Sequence, residues 1–163
     1  MQLLCVLSLF VALVPGPQAA APKAPAKAPA AAPAAKGART IELTGGDDMK
    51  YNLTKIEAKP GETLHVVLKS TGAIPKMAMA HNFVLLKLGA DAVEFNKASM
   101  TAAATDYVPE TLKAQVVGAT KMAGPGETVE VTFKVPAKPG SYPYMCTFPG
   151  HYAAGMKGDL VVK

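Results

Sequence analysis

Along much of this chain, apolar and polar residues alternate in short runs closed by glycine and proline. Leu64-His65-Val66-Val67-Leu68-Lys69 follows the turn signal Lys59-Pro60-Gly61-Glu62. Val129, Val131, Phe133 and Val135 alternate with Thr128, Glu130, Thr132 and Lys134 after Gly124-Pro125-Gly126. A two-residue period sends alternate side chains to opposite faces, so these runs predict half-buried strands. The same reading predicts strands over 40–44, 51–58, 81–88, 141–146 and 159–162. Short strands at this spacing point to an all-β Greek-key sandwich. The stretch from Asp91 to Ala104 breaks the rhythm. It holds no glycine or proline and opens with Asp91-x-x-Glu94, which resembles a capping box, so it predicts a short helical insertion around 91–104.

The first 40 residues obey a different pattern. Residues 3–14 form an uncharged apolar run of 12 residues. That is too short for a helix across about 30 Å of hydrocarbon, but it suits the core of an export signal. Pro15, Gly16 and Pro17 end it, and Ala19-Ala20-Ala21 offers small residues for cleavage. No Lys or Arg precedes the run. Residues 1–20 therefore read as a signal peptide, with an uncleaved anchor as the alternative. Residues 21–37 are rich in Ala, Pro and Lys, with prolines at 22, 25, 29 and 33 that prevent a continuous helix. As extended polyproline segments they could span roughly 50 Å, either as a disordered leader or as a tether to the membrane.

Composition changes meaning once this division is made. The 163 residues allow one domain with an appendage, and the chain carries a formal charge of +5. Residues 1–40 hold four of the basic residues (Lys23, Lys27, Lys36 and Arg39) and none of the acidic ones. From residue 41 onward, 13 lysines face 12 acids. A net charge near +1 on the folded part, with arginine confined to the tail, excludes a nucleic-acid module. Cys5 falls in the signal, so the mature chain keeps one cysteine, Cys146, and no disulfide.

The C-terminal segment concentrates the chemistry. Cys146-Thr147-Phe148-Pro149-Gly150-His151 leads to Met156, spacing thiolate, imidazole and thioether as Cys-x4-His-x4-Met on one loop between two strands. Structural zinc takes four Cys or His ligands, and methionine is a poor zinc donor. Copper accepts two His and one Cys in a plane with a weak axial Met. The second His must be His65 or His81. His65 lies mid-strand on the face of Lys69 and reads as a surface histidine. His81 opens an apolar strand after the Ile74–Ala80 loop, where a strand end can meet the other loop.

Two separated motifs, Ile74-Pro75-Lys76 through Met79-Ala80-His81-Asn82-Phe83-Val84-Leu85 and Cys146 through His151 with Met156-Lys157-Gly158, resemble azurin-like type 1 blue-copper proteins of the cupredoxin family. The resemblance covers roughly residues 38–163. It implies a cupredoxin sandwich holding one copper ion, with His81, Cys146 and His151 as equatorial ligands and Met156 as the axial thioether. The backbone carbonyl before the first His is a further weak contact in azurins. That position is Ala80 here, where azurins usually have glycine. Asn82 matches an asparagine that pins the thiolate loop by hydrogen bonds. Phe83 replaces the usual tryptophan, the azurin disulfide has no cysteines here, and the x4 spacing between His151 and Met156 looks like that of the auracyanins.

This resemblance implies a one-electron carrier, exported to the periplasm or the outer face of a membrane, and monomeric. Its partners would be redox proteins such as cytochromes, a reductase or an oxidase, met briefly around an apolar rim of Ile74, Met79, Phe148 and Gly150 beside His151. Copper storage or delivery could use the same ligands. A hydrolase built from Cys146, His151 and Asn82 is a third reading, although no oxyanion motif accompanies it. Multicopper catalysis would need more than the three histidines present.

Overall fold

The computed structural model describes residues 37–163. The expected signal (1–20) and all but the last residue of the expected spacer (21–37) lie outside the described residues. Eight strands are present among the described residues: β1 (Arg39–Gly45), β2 (Lys55–Ala58), β3 (Thr63–Ser70), β4 (Val84–Leu86), β5 (Val116–Ala119), β6 (Thr128–Lys134), β7 (Gly140–Met145) and β8 (Lys157–Val162). They form two sheets, ordered β1-β3-β6 and β2-β8-β7-β4-β5. The β1/β3 and β2/β8 pairs are parallel, and the other ladders are antiparallel.

Alternation sets the core. Leu64, Val66 and Leu68 of β3 are fully buried, as are Leu43 of β1 and, from the facing sheet, Tyr144 and Leu160. These residues join Phe83, Leu85 and Phe133 in one apolar cluster between the sheets. Phe83 stacks on Phe133 at 6.3 Å and lies against Tyr144 at 5.2 Å between ring centroids.

A second cluster lies on the other side of the five-stranded sheet. Val84, Leu86 and Met145 pack there with Phe95, Val108 and Leu112. Phe95 belongs to helix α1 (Ala92–Ser99). Asp91 caps this helix through Oδ1, which accepts bonds from the Val93 and Glu94 amides at 2.9 and 3.0 Å. The insertion thus begins where the sequence places it. It runs further than 104, through 3-10 turns at Ala103–Thr105 and Glu110–Gln115. Because the insertion covers one face and the facing sheet the other, all of Val84–Leu86 is buried. That two-sided burial is why this strand reads as an apolar run instead of an alternation.

One strand goes unread in the sequence, and two expectations need correction. β5 has no alternating pattern, and its Gly118 is small because a methyl there would meet the Phe133 ring at 3.0 Å. The ladder expected over 51–58 starts only at Lys55, since Asn52 turns back to β1 through Thr44 N–H donating to Asn52 Oδ1 at 2.8 Å. His65 is buried, not on the surface. Thr132 faces it directly across the β3/β6 ladder. Its Nδ1 lies 2.9 Å from Thr132 Oγ1, and its Nε2 lies 3.0 Å from a Glu130 carboxylate oxygen. Cross-strand polar partners, not exposure, satisfy this imidazole.

Phe95 is the apolar anchor of the insertion. Phe95→Ala should lower the unfolding free energy by about 3–5 kcal/mol. Denaturant titration would measure the loss, and amide exchange should accelerate across 92–115 before it does in β3 or β6.

Candidate metal centre

Three segments converge at one end of the sandwich. His81 precedes β4 and is held by an isolated bridge to Ala123, with the His81 amide donating to Ala123 O at 2.9 Å and the return bond at 2.7 Å. Cys146 follows β7, and its amide donates to Met156 O at 3.0 Å. His151 starts helix α2 (His151–Ala154), which ends at Gly155 in a left-handed conformation, φ +96°. The Met156 amide then returns to His151 O at 2.9 Å. The x4 spacing is thereby coiled into a single helical turn, and Met156 is delivered beneath the same site.

The potential donor atoms of His81, Cys146 and His151 lie within 4.8 Å of one another, and all three residues are buried. Cys146 Sγ is 3.4 Å from His151 Nδ1. The His81 and His151 rings sit 5.0 Å apart. Met156 is fully buried, and its methyl end and the His81 ring both close on Gly45, where an added Cβ would meet them at 2.6 and 3.1 Å. The Ala80 carbonyl oxygen lies 3.9 Å from Cys146 Sγ.

Asn82 ties the first ligand segment to the second. Its Oδ1 accepts the Thr147 amide at 2.9 Å, and its Nδ2 donates to Thr147 Oγ1 at 2.8 Å and to Asp106 O at 2.9 Å. Tyr51 donates its hydroxyl proton to the Asn82 carbonyl. Asp106 and Tyr107 both have positive φ, 53° and 59°. Tyr107 meets Phe148 edge-on at 5.4 Å, and Phe148 lies 4.8 Å from the His151 ring.

The donor set fits a copper ion. Both ring nitrogens of His81 are buried without a hydrogen-bond partner among the described residues, a cost that a structure normally avoids unless another group fills the gap. Burial pushes the Cys146 thiol up to about 12, although the Asn82 and Phe148 amides aimed at sulfur oppose this. Burial also pushes His151 down to about 4, with His81 nearby adding to the effect. His81 is lowered by its burial as well, against the pull of Asp47 and Asp48. Neutral imidazoles beside a thiol that ionises only with help are soft donors waiting for a cation.

Residues 38–163 match the copper binding proteins of the plastocyanin/azurin family. Auracyanin-A of Chloroflexus aurantiacus is 36% identical over 129 residues, spanning 77% of this chain and 75% of that protein. Outer membrane protein H.8 of Neisseria meningitidis is 40% identical over 128 residues, covering 77% and 67%. The dithionite-reduced auracyanin of the photosynthetic bacterium Roseiflexus castenholzii superposes with a TM-score of 0.69 at 36% identity, covering 78% of this chain and 99% of that one. The chain is a blue-copper cupredoxin of the plastocyanin/azurin family. Electron transfer is the general work of that family, and its copper site is built on the His-Cys-His arrangement found here.

Of the residues the sequence suggests, the fold brings the donor atoms of His81, Cys146 and His151 together, with the Ala80 carbonyl near Cys146 and the Met156 methyl near Gly45. The sequence reading missed Gly45, Tyr51 and Asp106. Gly45-Gly46 after an apolar strand was the visible signal for a close approach, but no spacing rule linked it to a residue 36 positions away.

The histidine shifts set an acid limit on the metal-free protein. An imidazole whose folded pKa lies below its unfolded value of about 6.5 favours the fold above that pH. This contribution is lost as pH falls from about 6.5 toward 4. Denaturant midpoints of the metal-free chain should therefore drop through this window, and His81→Gln with His151→Gln should flatten the slope.

Proposed function

We propose that His81, Cys146 and His151 would hold one copper ion, with Met156 and the Ala80 carbonyl as weaker contacts. On this reading the chain shuttles single electrons between redox proteins in the periplasm or at the outer face of a membrane. The observation that carries the assignment is the pair of buried, unpartnered nitrogens of His81 beside a buried free thiol. When bound, copper supplies a one-electron couple. The protein's part is to hold the donors still and dry: Asn82 locks the thiolate segment, the bridge to Ala123 fixes His81, and α2 sets the separation of His151 from Met156. Ligands that barely move make for a small reorganisation on electron transfer.

A hydrolytic reading fits the geometry poorly. Cys146 and His151 are close, but the sulfur is inaccessible and its pKa is displaced away from a nucleophilic thiolate. The third histidine, His65, is occupied by Thr132 and Glu130, which leaves no set for a second copper centre among the described residues. We therefore read the chain as a carrier and not an enzyme.

Partners would meet the molecule beside His151. Pro149 and Gly150 are exposed there, Phe148 and Met79 are half-buried, and Ile74 is 39% exposed. A small apolar face suits brief contacts of a monomer with redox proteins such as cytochromes. Export through residues 1–20, with 21–37 as a spacer, and a domain over 38–163 complete the proposal. The likeness to a protein named for the outer membrane supports an extracytoplasmic site.

Cu(II) added to the metal-free protein should give an intense blue absorption, a narrow EPR hyperfine splitting, and release of the Cys146 proton at neutral pH. A colourless product, or blue colour that survives Cys146→Ser, would overturn the assignment. Met156→Leu should keep the colour and raise the reduction potential. Fast electron self-exchange and reversible voltammetry are expected of a carrier; sluggish exchange would instead favour copper storage or delivery.

A further inference from the structure

The end of β1 and the loop that follows it contribute no ligand, yet they touch the His81 segment and the His151–Met156 turn. The base of the loop is fixed. Gly45 and Tyr51 form an isolated antiparallel bridge, and the Asn52 amide donates to Thr44 O at 3.3 Å. The Met49 amide closes a turn onto Gly46 O at 3.0 Å, and Asp47 Oδ2 accepts the Ala73 amide at 2.8 Å. Met49 is held at φ +55°, a left-handed conformation that costs a non-glycine residue energy and persists only where its surroundings impose it.

From this base three contacts reach the metal centre. Gly45 packs on the His81 ring and the Met156 methyl, and the Tyr51 hydroxyl donates to the carbonyl of Asn82. Lys50 Nζ donates to Ala154 O, at the end of α2. A methyl group on Gly155 would come within 2.6 Å of the same nitrogen.

The position of Ala154 gives the Lys50 bond its meaning. α2 is one turn long, and its closing carbonyls need donors from elsewhere. The Gly155 amide serves His151 O and Tyr152 O, and the Met156 amide also serves His151 O. Ala154 O is left to Lys50. An ammonium group at a helix C-terminus is favoured by both the hydrogen bond and the helix dipole.

We propose that Lys50 is a positioning residue for the copper centre: it clasps the turn between His151 and Met156 from outside, so that both donors keep their registration against His81 and Cys146. The proposal rests on the ligand set given above. Without the clasp, the turn would keep its own bonds and the Cys146 amide's bond to Met156 O, but Ala154 O would lose its donor and the segment between the two ligands would gain freedom.

The test compares the copper-loaded full chain with Lys50→Met, Lys50→Arg and Lys163→Met. The last removes an equal charge from a side chain paired with Glu57 at 2.7 Å. Removal of copper by excess chelator should be about three- to tenfold faster in Lys50→Met, the ratio corresponding to a typical net hydrogen-bond contribution. Its EPR hyperfine splitting should differ from wild type. Lys50→Arg should restore both, and Lys163→Met should match wild type in both. Wild-type release and EPR in Lys50→Met would overturn the proposal, as would equal changes in Lys163→Met. A blue wild type with an unresponsive Lys50→Met would sink the clasp alone; a wild type that never turns blue would sink the ligand assignment with it.

Discussion

The metal centre depends on one short-range lock, the paired hydrogen bonds between Asn82 and Thr147. Their neighbours in sequence, His81 and Cys146, come from segments 65 residues apart, and each needs the other within a few ångströms. A sandwich core positions strand ends only loosely, because apolar packing has no direction. Directional bonds between buried partners supply the missing precision, and a primary amide can donate and accept at once. With one asparagine serving Thr147, Asp106 and, through its backbone, Tyr51, the two ligand segments and two flanking loops share a single reference point.

Around that point the protein keeps groups that are uncomfortable without a cation. The His81 ring nitrogens have no hydrogen-bond partner among the described residues, the Cys146 thiol resists ionisation, and the His151 ring resists protonation. Each would be a defect in an ordinary core. Together they describe a cluster of donors whose unmet demands coincide in space and would be met by one soft ion. The backbone shows related tension at Asp106 and Tyr107, which touch Asn82 and Phe148 beside the site. Folding stability supplied by the two sheets is what allows these residues to be held so.

Much of this was legible in the sequence, and the failures have physical causes. Strands with one wet face, β3 and β6, announced themselves by alternation. The Cys-x4-His-x4-Met loop was legible because all three donors lie within 11 residues. Asp91 announced its helix because capping is a local event. β5 stayed hidden because four residues carry too little pattern, and the turns beyond 104 because packing on Val84 and Leu86 fixes them. His65 misled because its partners, Thr132 and Glu130, lie more than 60 residues away and only strand register reveals them. Gly45 and Lys50 were invisible for the same reason: their importance is made by the fold.

The first strand also fixes an orientation. β1 begins at Arg39 and ends at Gly45 against the His81 ring, so at about 3.3 Å per residue its start lies roughly 20 Å from the copper end. Arg39 bonds there to Glu57 O, and Lys163, the last residue, reaches the Glu57 carboxylate. Both ends of the domain therefore leave from one pole while the ligands occupy the other. Anything gripping the chain ahead of residue 39 would hold the domain by the pole opposite its ligands.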